Sequence, residues 1–423
     1  MEVCVIGSGY VGLTVSVGFA SKGNSVTSVD VDEEIVEKIN SGNAPFFEES
    51  LDEMLEDTTD EGLLRATTDL KDAVGNSSII FVTVGTPSKE DGTIDLSSVK
   101  KSAEEIGQPL RKKDDYSVVV VKSTVVPGTT EETVIPILEE ESGKRAGEDF
   151  GVCMNPEFLR EGRAVSDFLN PDRIVIGEYD EQSGDLLSEL YEDFDAPVLK
   201  MDLSSAEMVK YASNSFLATK ISFINEIGNI CKELGIDVYD VAEAMGYDER
   251  ISERFLRAGA GYGGSCFRKD VGALIKSAED IGYPLKLIKA GVKVNERQPL
   301  KMLDLLEKHV GDLQGREIGV LGLSFKPGTD DIRNSPSLRV VGELLKRGAS
   351  VKAYDPKAME NFKEVYPEVD YCDPEEVLNS EATLIMTDWG EFEELDYRGK
   401  VIIDGRRIEK AKETETYEGI CWS

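Results

Sequence analysis

The chain has 423 residues, of which 40% are hydrophobic, and its 82 acidic and 47 basic side chains give a formal net charge of −35. This length predicts two or three domains, and the acidic charge excludes a nucleic-acid-binding protein, because the phosphates would be repelled. No apolar run reaches about 18 residues, so we expect no membrane as a partner. The acidic residues are spread along the chain, and we expect salt to screen their mutual repulsion, as in a protein from a salt-loving source. An acidic protein from a mesophile is the alternative.

Cysteine usage predicts a reducing compartment. The six cysteines form no CxxC pair and lie far apart, at Cys4, Cys153, Cys231, Cys266, Cys372 and Cys421. This spacing predicts neither a zinc site nor a disulfide framework. The first residues, MEVCVIGSGYVG, begin directly with a strand pattern and lack the basic and cleavage regions of a signal peptide. We therefore expect a cytoplasmic protein without a metal.

A dinucleotide-binding motif opens the chain. A buried strand is predicted over 2–6 and a second over 25–29, which ends at Asp30. Between them a GxGxxG turn leads into an apolar helix and contains Gly7, Gly9, Tyr10, Val11 and Gly12. The glycines allow a tight turn and the close approach of a pyrophosphate to the helix N-terminus. Asp30 is placed to bind a ribose 2′-hydroxyl, which favours NAD over NADP.

Polar residues follow the next two predicted strands, at 78–84 and 117–121. Ligands of open parallel sheets lie beyond the carboxyl ends of the strands, so Thr86 and Thr124 are candidate contacts of a cofactor or substrate. Capping of the loops by these hydroxyls is the alternative interpretation.

Two glutamates stand four residues apart after a strand predicted over 151–154. Glu157 and Glu161 would share one face if a helix formed there. Such pairs are usually solvated surface charges, but their position after a strand end favours a functional role.

A long helix is predicted over 204–234, where apolar residues recur at helical spacing and Ser204-Ser-Ala-Glu207 resembles a capping box. Lys210 and Asn214 lie one turn apart on it. A solvated helix face would explain both residues, whereas the functional alternative is an ammonium and an amide presented together to a substrate oxygen. We expect this helix to bridge two domains and a further helix to cover 238–257.

The segment from Gly259 to Asp270, GAGYGGSCFRKD, places Cys266 behind several glycines and ahead of cationic residues. Glycines let the backbone approach a ligand closely, and neighbouring cations favour the thiolate, the form that attacks carbonyls. Asp270 would return to the side of Cys266 if a helix begins here. The alternative is a glycine-rich turn around a buried structural cysteine.

Composition changes again after residue 310. Strands are predicted at 317–322, 350–354, 382–386 and 400–403. We therefore predict an α/β protein with two Rossmann-like doubly wound domains joined by a long central helix and a helical domain. The expected bounds are 1–202 for the NAD-binding domain, 203–310 for the helical dimerisation domain with the cysteine loop, and 311–423 for the second Rossmann-like domain.

Motifs over essentially the whole chain resemble those of the nucleotide-sugar 6-dehydrogenases, the UDP-glucose/GDP-mannose dehydrogenase family, and most closely its UDP-glucose branch. The matching stretches are GSGYVG at Gly7, GTPS at Gly85, KSTVVPGT at Lys122, NPEFLREG at Asn155, KYASNSFLATKISFINE at Lys210, GAGYGGSCFRKD at Gly259, FKPGTDDIRNSP at Phe325 and YDP at Tyr354. Arg268 stands where the family usually has proline, and we expect it to alter loop rigidity and charge without removing the chemistry.

The resemblance implies oxidation of the C6 alcohol of a sugar nucleotide, UDP-glucose, to the carboxylate of UDP-glucuronate with two NAD. Cys266 would attack the C6 aldehyde and form a thiohemiacetal, which the second oxidation converts to a thioester. Lys210 and Asn214 would stabilise the developing C6 oxyanion.

Further roles come with the same resemblance. Asp270 would position or activate water together with Thr124, and Glu157 or Glu161 would be the acid–base residue. Candidate contacts of NAD are Gly7, Gly9, Tyr10, Val11, Gly12, Asp30, Thr86, Thr124, Glu161 and Arg333. Candidate contacts of the UDP-sugar are Phe158, Leu159 and Arg160, by backbone, and Glu161, Lys210, Asn214, Arg250, Tyr262, Gly263, Cys266, Phe325, Lys326 and Arg406. The central helix is the expected homodimer interface, across which Arg250 could reach.

Three other interpretations stay open. A GDP-mannose or another UDP-hexose 6-dehydrogenase is the first alternative, and the GDP-mannose relatives share the cysteine loop. A β-hydroxyacid dehydrogenase also joins a Rossmann domain to a helical domain with Lys and Asn at this spacing, but it needs neither Cys266 nor a third domain. A non-catalytic binder of nucleotide sugars or NADH would have lost the cysteine or the Lys210–Asn214 pair, and this chain retains them.

Overall fold

The computed structural model describes residues 1–422, and the chain divides into two compact units between Ser213 and Asn214. The first unit is built on an eight-stranded sheet and the second on a six-stranded sheet. The division falls within a helix of 32 residues, Leu203–Leu234. The predicted fold class, with two largely parallel α/β sheets and a long helix in the middle of the chain, is confirmed.

The strands of the first unit are β1 (Glu2–Ile6), β2 (Ser25–Val29), β3 (Leu64–Thr67), β4 (Ile79–Val82), β5 (Val118–Val121), β6 (Gly151–Met154), β7 (Ile174–Glu178) and β8 (Val198–Met201). Their order in the sheet is β3-β2-β1-β4-β5-β6-β7-β8, and every neighbouring pair is parallel except β6 and β7. The carboxyl ends of β1, β2, β4 and β5 therefore meet at one edge, where a ligand of such a sheet binds.

Both faces of this sheet are buried. Val3 and Val5 of β1 pack in one hydrophobic core, whereas Cys4 and Ile6 pack in another. Alternate residues of a strand point to opposite faces, so two covered faces require a continuous apolar run. This explains why the central strands could be recognised from the sequence.

The helices of the first unit are α1 (Tyr10–Ala20), α2 (Glu33–Asn40), α3 (Leu51–Asp60), α4 (Leu70–Gly75), α5 (Ser97–Leu110), α6 (Ile135–Ser142), α7 (Ala164–Leu169) and α8 (Glu181–Leu190). A π-helical turn, Thr130–Val134, stands directly before α6. The long helix, α9, runs over Leu203–Leu234 and contains the division between the units.

The start of α9 differs from the predicted capping box. Asp202 caps the helix, because its carboxylate accepts hydrogen bonds from the amide of Ser205 at 2.8 Å and from its hydroxyl at 2.6 Å. Glu207 turns away and accepts from the amides of Gly128 at 2.6 Å and Thr130 at 2.8 Å. Burial raises the pKa of Glu207 to about 7, although these hydrogen bonds lower it. The predicted capping box is therefore wrong.

The second unit contains the strands β9 (Glu317–Leu321), β10 (Ser350–Tyr354), β11 (Asp370–Tyr371), β12 (Ala382–Ile385), β13 (Val401–Asp404) and β14 (Thr416–Gly419). They form a parallel sheet in the order β11-β10-β9-β12-β13-β14. Its helices are α10 (Val238–Gly246), α11 (Ser265–Asp280), α12 (Lys286–Val310), α13 (Pro336–Lys346), α14 (Met359–Val365) and α15 (Pro374–Val377). No helix within residues 1–422 combines the length and the apolar character that a membrane span needs.

The helix predicted over 238–257 is shorter than expected. α10 ends at Gly246, so the prediction is wrong beyond that residue. Ser252 and Phe255 have φ angles of 62° and 66°, and a right-handed helix does not accommodate this left-handed backbone. Residues 247–257 consequently form the irregular lead into the glycine-rich segment.

The C-terminal segment binds both α9 and α12 through hydrogen bonds and ion pairs. Trp422 is buried, and its carbonyl accepts a hydrogen bond from Lys232 of α9 at 2.9 Å. Glu418 of β14 pairs with Lys232 at 3.3 Å, with Lys308 of α12 at 2.8 Å, and with His309. Although burial raises the pKa of Glu418, hydrogen bonds from Lys308 and His309 and the charge of Lys232 lower it to about 2. These ion pairs hold two helices that carry candidate site residues.

Candidate active site

The glycine turn between β1 and α1 forms a cradle for a diphosphate. Gly7 has a φ of 97° and donates its amide to Val29 at 2.8 Å. A Cβ at Gly12 would lie 1.7 Å from the Gly7 carbonyl, so only glycine fits there. A Cβ at Gly9 would meet no atom within 4 Å. This open space lies at the N-terminus of α1, whose first turn has no acidic residue and no side-chain cap, so the helix end suits an anion.

Asp30 lies at the carboxyl end of β2 and faces the same turn. Its carboxylate accepts hydrogen bonds from the Ser8 amide at 2.7 Å and the Asp32 amide at 3.1 Å. An acid held there suits a ribose 2′-hydroxyl and would repel a 2′-phosphate. The cradle and the acid together fit NAD.

The two threonines predicted beyond strand ends are brought together. The Thr86 hydroxyl donates to the Thr124 carbonyl at 2.9 Å, and the Ser123 hydroxyl donates to the Val84 carbonyl at 2.7 Å. These bonds join the loops that follow β4 and β5, as the capping alternative expects. Both threonines also lie at the sheet edge where α1 begins, because β4 and β5 run parallel to β1.

Residues 155–163 form a loop, so the expectation that Glu157 and Glu161 share a helix face is wrong. Glu157 is buried, and its Oε1 accepts a hydrogen bond from Lys210 Nζ at 2.7 Å. Its Oε2 accepts from the amide of Leu159, only two residues further, at 2.6 Å. This local bond turns the backbone away from a helical path. Glu161 is half-buried in the same loop.

Two buried lysines determine the charge of Glu157. Burial raises the pKa of Glu157, but the Lys210 ammonium, the Leu159 amide and the charge of Lys122 outweigh it and hold the pKa below its ordinary value. Lys122 donates to Asn155 Oδ1 at 2.7 Å. Burial, assisted by the charge of Lys210, lowers the pKa of Lys122 to about 7 despite Glu157. Glu157 is therefore ionised at neutral pH. Lys122 was not among the residues predicted from the sequence. Its position directly after an apolar strand could have identified it as a candidate.

Two arginines make contacts that order the loop after Glu157. Arg160 binds the carboxylate of Asp167 through Nε at 2.8 Å and Nη2 at 2.5 Å, and its amide donates to the same carboxylate at 2.9 Å. The Arg173 guanidinium lies 3.9 Å from the centre of the Phe158 ring. Arg173 was not predicted from the sequence, because its stacking on Phe158 joins two loops.

In the second unit, Cys266 is the second residue of α11, which begins at Ser265. Cys266 is exposed, whereas Cys4, Cys153 and Cys421 are buried, and burial raises the pKa of those three thiols to about 12. The first turn of α11 has no acidic residue and no side-chain cap, so the helix N-terminus stabilises negative charge. The alternative of a buried structural cysteine is therefore wrong.

Asp270 lies one turn beyond Cys266 on α11 and is buried. Its Oδ2 accepts a hydrogen bond from Asn214 Nδ2 at 2.6 Å, and its Oδ1 accepts from Lys269 Nζ at 2.6 Å. The two residues predicted to act together from α9 thus have different carboxylate partners. Lys210 binds Glu157 within the first unit, and Asn214 binds Asp270 within the second.

The glycine-rich segment before Cys266 is held by α9 and α12. Asn225 of α9 accepts a hydrogen bond from the Gly259 amide at 2.8 Å. Asn295 of α12 accepts from the Tyr262 amide at 2.9 Å and donates to the Tyr262 carbonyl at 3.0 Å. Each asparagine thus fixes the course of the backbone ahead of the thiol. Asn295 was missed in the sequence, because an isolated asparagine in a helix carries no signal of its partner.

The loop 325–334 and the carboxyl end of β13 line the same segment. A Cβ at Gly263 would lie 2.5 Å from the Asn334 carbonyl and 3.0 Å from Phe325. Arg406, which follows β13, donates to the Gly261 carbonyl at 3.2 Å. The structure therefore brings Tyr262, Gly263, Phe325 and Arg406 together around the backbone that leads to Cys266.

The other predicted basic residues are placed differently. Lys326 Nζ lies 5.6 Å from the centre of the neighbouring Phe325 ring, and Arg333 binds Asp331 through two N–H groups at 2.9 and 2.7 Å. Both lie on the loop beside the glycine-rich segment. Arg250 is exposed on a separate loop after α10, where its guanidinium binds Asp248 at 2.6 Å.

Comparison with known proteins gives one family over most of the chain. Models of the UDP-glucose/GDP-mannose dehydrogenase family match as the NAD binding domain over 1–195, the central domain over 204–297 and the UDP binding domain over 319–411. The UDP-glucose 6-dehydrogenase AglM of Haloferax volcanii is 47% identical over 99% of this chain and 100% of its own. The GDP-mannose 6-dehydrogenase of Pseudomonas aeruginosa is 38% identical over 100% of both chains. The solved UDP-glucose dehydrogenase of Pyrobaculum islandicum is 46% identical, with a TM-score of 0.96 over 100% of this chain and 98% of that one.

Proposed function

We infer that this chain, which belongs to the UDP-glucose/GDP-mannose dehydrogenase family, oxidises the C6 alcohol of UDP-glucose to the carboxylate of UDP-glucuronate. The observation that carries the proposal is the exposed Cys266 at a helix N-terminus, one turn from the buried Asp270. A thiol so placed serves aldehyde oxidation, and a one-step alcohol dehydrogenase has no use for it. The chain is also 47% identical, from end to end, to a UDP-glucose 6-dehydrogenase.

NAD, when bound, accepts a hydride in each of the two oxidations. The glycine turn from Gly7 to Gly12 would hold its diphosphate on the amides of α1, and Asp30 would bind the ribose. We also assign Tyr10, Val11, Thr86, Thr124, Glu161 and Arg333 to this site.

Lys210 and Asn214, each oriented by a carboxylate, act on the C6 oxygen. Glu157 positions the Lys210 ammonium, and Asp270 positions the Asn214 amide, so both donors are pre-arranged for an oxygen that gains negative charge. Glu157, which is ionised, accepts the proton that the C6 hydroxyl loses. We prefer it to Glu161 for this role because the Glu157 carboxylate binds Lys210 at 2.7 Å.

Cys266 carries the second half of the reaction. Its sulfur attacks the C6 aldehyde and forms a thiohemiacetal, whose oxidation leaves a thioester. Water then attacks the thioester carbon, the C–S bond breaks, and the products are the carboxylate and the restored thiol. Asp270, with Thr124, would position this water.

We propose three domains for these tasks, 1–202, 203–310 and 311–423. The spans matched by the three family models lie within these bounds. The backbone of Phe158, Leu159 and Arg160 would bind the sugar. The residues assigned to the rest of UDP-glucose are Arg250, Tyr262, Gly263, Phe325, Lys326 and Arg406.

A panel of sugar nucleotides tests the proposed substrate. We expect two NADH per UDP-glucose at limiting substrate, and a kcat/KM for UDP-glucose at least about tenfold above those for UDP-galactose and GDP-mannose. NADP should not replace NAD, because Asp30 would repel its 2′-phosphate. A higher kcat/KM with GDP-mannose would assign the chain to the GDP-mannose branch of the family instead.

We propose that α9 forms a homodimer interface. Phe216, Phe223 and Ile230 stand seven residues apart on it and are 65%, 45% and 55% exposed, so they form an apolar stripe along one helix face. Phe223→Glu should therefore convert a dimer into a monomer of 46.4 kDa, as measured by light scattering. Val365→Glu, at an exposed apolar residue of α14, is the matched control and should stay dimeric. A wild-type protein that is already monomeric would contradict the proposal.

Salt dependence follows from the charge. With a net charge of −35, the repulsion among exposed carboxylates weakens as the Debye length falls from about 10 Å at 0.1 M to about 3 Å at 1 M salt. We expect the melting temperature and the activity to rise between these KCl concentrations. Sucrose in place of KCl controls for solvent exclusion. A melting temperature that does not change with KCl would reject a salt-adapted protein.

We also propose that the protein works in the cytoplasm. No two cysteines among residues 1–422 form a disulfide, and a reactive thiol at Cys266 needs a reducing compartment to remain a nucleophile.

A further inference from the structure

A buried carboxylate outside the catalytic groups joins the cofactor turn to the sugar-binding loop. Glu48 lies between α2 and α3 and is 3% exposed. Its Oε2 accepts hydrogen bonds from the Gly162 amide at 2.7 Å and from the Tyr10 hydroxyl, and its Oε1 accepts from the Ala164 amide at 2.6 Å. Glu48 therefore binds two separate segments of the first unit at once.

Tyr10 completes the contact from the cofactor side. It is the first residue of α1, directly after the open space at Gly9. Its hydroxyl donates to Glu48 and accepts from the Gly162 amide at 2.8 Å, and its ring lies 5.4 Å from that of Phe46. Burial, together with the hydrogen bond to Glu48, raises the pKa of Tyr10 above its ordinary value, so the phenol keeps the proton that it donates.

The contacts on the other side fix the end of the loop 155–163. Gly162 has a φ of 78°, and its amide is held by both Glu48 and Tyr10. Ala164 begins α7, whose own capping residue makes no side-chain hydrogen bond, so Glu48 caps this helix from a distant part of the chain. The start of the loop is held by Glu157 and Lys210. The end of the loop is held by the contacts among Tyr10, Glu48, Gly162 and Ala164, and we call these four residues the clamp.

The Glu48 carboxylate is placed for hydrogen bonding and not for packing alone. Removing a carboxylate from water is costly, and apolar residues of similar volume often stabilise a fold as well as buried charges do. The carboxylate instead provides oriented acceptors for two backbone amides and a phenol, and so fixes the backbone of the loop relative to α1.

We propose that Glu48, acting with Tyr10, is a positioning residue that sets the backbone of Phe158–Arg160 for the sugar nucleotide against the NAD-binding turn. This inference rests on the proposed function, because the ligand assignments of the loop and the turn come from it. Glu48 is buried and acts through the Gly162 and Ala164 amides.

Steady-state kinetics of Glu48→Gln tests the proposal. Glutamine keeps one acceptor but places an NH₂ group against a backbone N–H, so the end of the loop shifts. We expect the KM for UDP-glucose to rise about tenfold, with kcat within about twofold of wild type and an unchanged dissociation constant for NADH. Tyr10→Phe, which keeps the ring, should raise the same KM about threefold. Glu49→Gln, at the exposed neighbouring glutamate, should change nothing.

Whether KM or kcat changes in Glu48→Gln distinguishes a positioning role of Glu48 from a purely structural role. A merely structural role would reduce the fraction of active enzyme, and so lower kcat at an unchanged KM. That result, or an unchanged KM in Glu48→Gln, would overturn the proposal. If Glu48→Gln does not fold, an unchanged KM in Tyr10→Phe overturns it. If wild type and Glu49→Gln oxidise another sugar nucleotide in place of UDP-glucose, the proposed substrate fails, and the same KM comparison with that nucleotide decides the role of the clamp.

Discussion

Cys266→Ala is expected to abolish formation of UDP-glucuronate, lowering its rate by at least about a thousandfold, while UDP-glucose and NAD still bind. Hydride leaves more readily from a tetrahedral thiohemiacetal than from a free aldehyde, so the second oxidation depends on the sulfur. The covalent bond also retains the aldehyde between the two oxidations. The measurement is the yield of NADH at limiting UDP-glucose, which should be two for wild type and at most one for the variant.

Two further cysteine variants sharpen this test. Cys372→Ala, at the half-buried cysteine next to β11, should keep the yield of two NADH. Cys266→Ser should accumulate an ester on the protein, visible by mass spectrometry after quenching, because an alkoxide leaves less readily than a thiolate. Full production of the acid by Cys266→Ala would disprove the covalent mechanism.

Lys210→Ala is expected to lower kcat by about 10² to 10³, with a much smaller rise in the KM for UDP-glucose. The ammonium is held by Glu157 at 2.7 Å, so its charge is in place before the C6 oxygen becomes negative, and its contribution is largest in the transition state. Steady-state kinetics with varied UDP-glucose at saturating NAD measures both constants.

The same variant has a second readout. Without Lys210, burial dominates and the pKa of Glu157 rises, so the residual activity should require a higher pH than in wild type. Lys220→Ala is the control on the same helix, since the Lys220 ammonium donates to two backbone carbonyls, those of Ile251 at 2.9 Å and Ser252 at 3.2 Å. A change in KM alone for Lys210→Ala would reduce Lys210 to a substrate-binding residue.

The strands and the long helix that were predicted from apolar patterns are present in the structure. The strands at 2–6, 25–29, 151–154 and 350–354 were predicted with the observed bounds, because each contains apolar residues and is bounded by turn-forming residues such as Gly, Asn, Asp or Pro. The long helix begins at Leu203, one residue before its predicted start. Edge strands such as β8 and β11 were missed, because β8 is largely exposed and so shows no buried apolar pattern, and β11 has only two residues.

Predictions that assumed regular structure from side-chain spacing failed where side chains bind backbone groups. Glu157 and Glu161 have helical spacing, yet the bond from the Leu159 amide to Glu157 bends the chain into a loop. Glu207 stands at the position of a capping-box acid, yet it binds Gly128 and Thr130, which lie far away in the sequence. Spacing alone cannot distinguish these partners from local ones.

The sequence by itself determined the NAD-binding turn with Asp30 and the spacing of Cys266 and Asp270, because glycine requirements and helical period are properties of a few consecutive residues. Only the tertiary structure decided which partners these groups have. It pairs Lys210 with Glu157, Asn214 with Asp270, and Glu48 with Gly162. The physical reason is that a buried polar group must find a hydrogen-bond partner, and packing of segments far apart in the chain decides which one lies within reach.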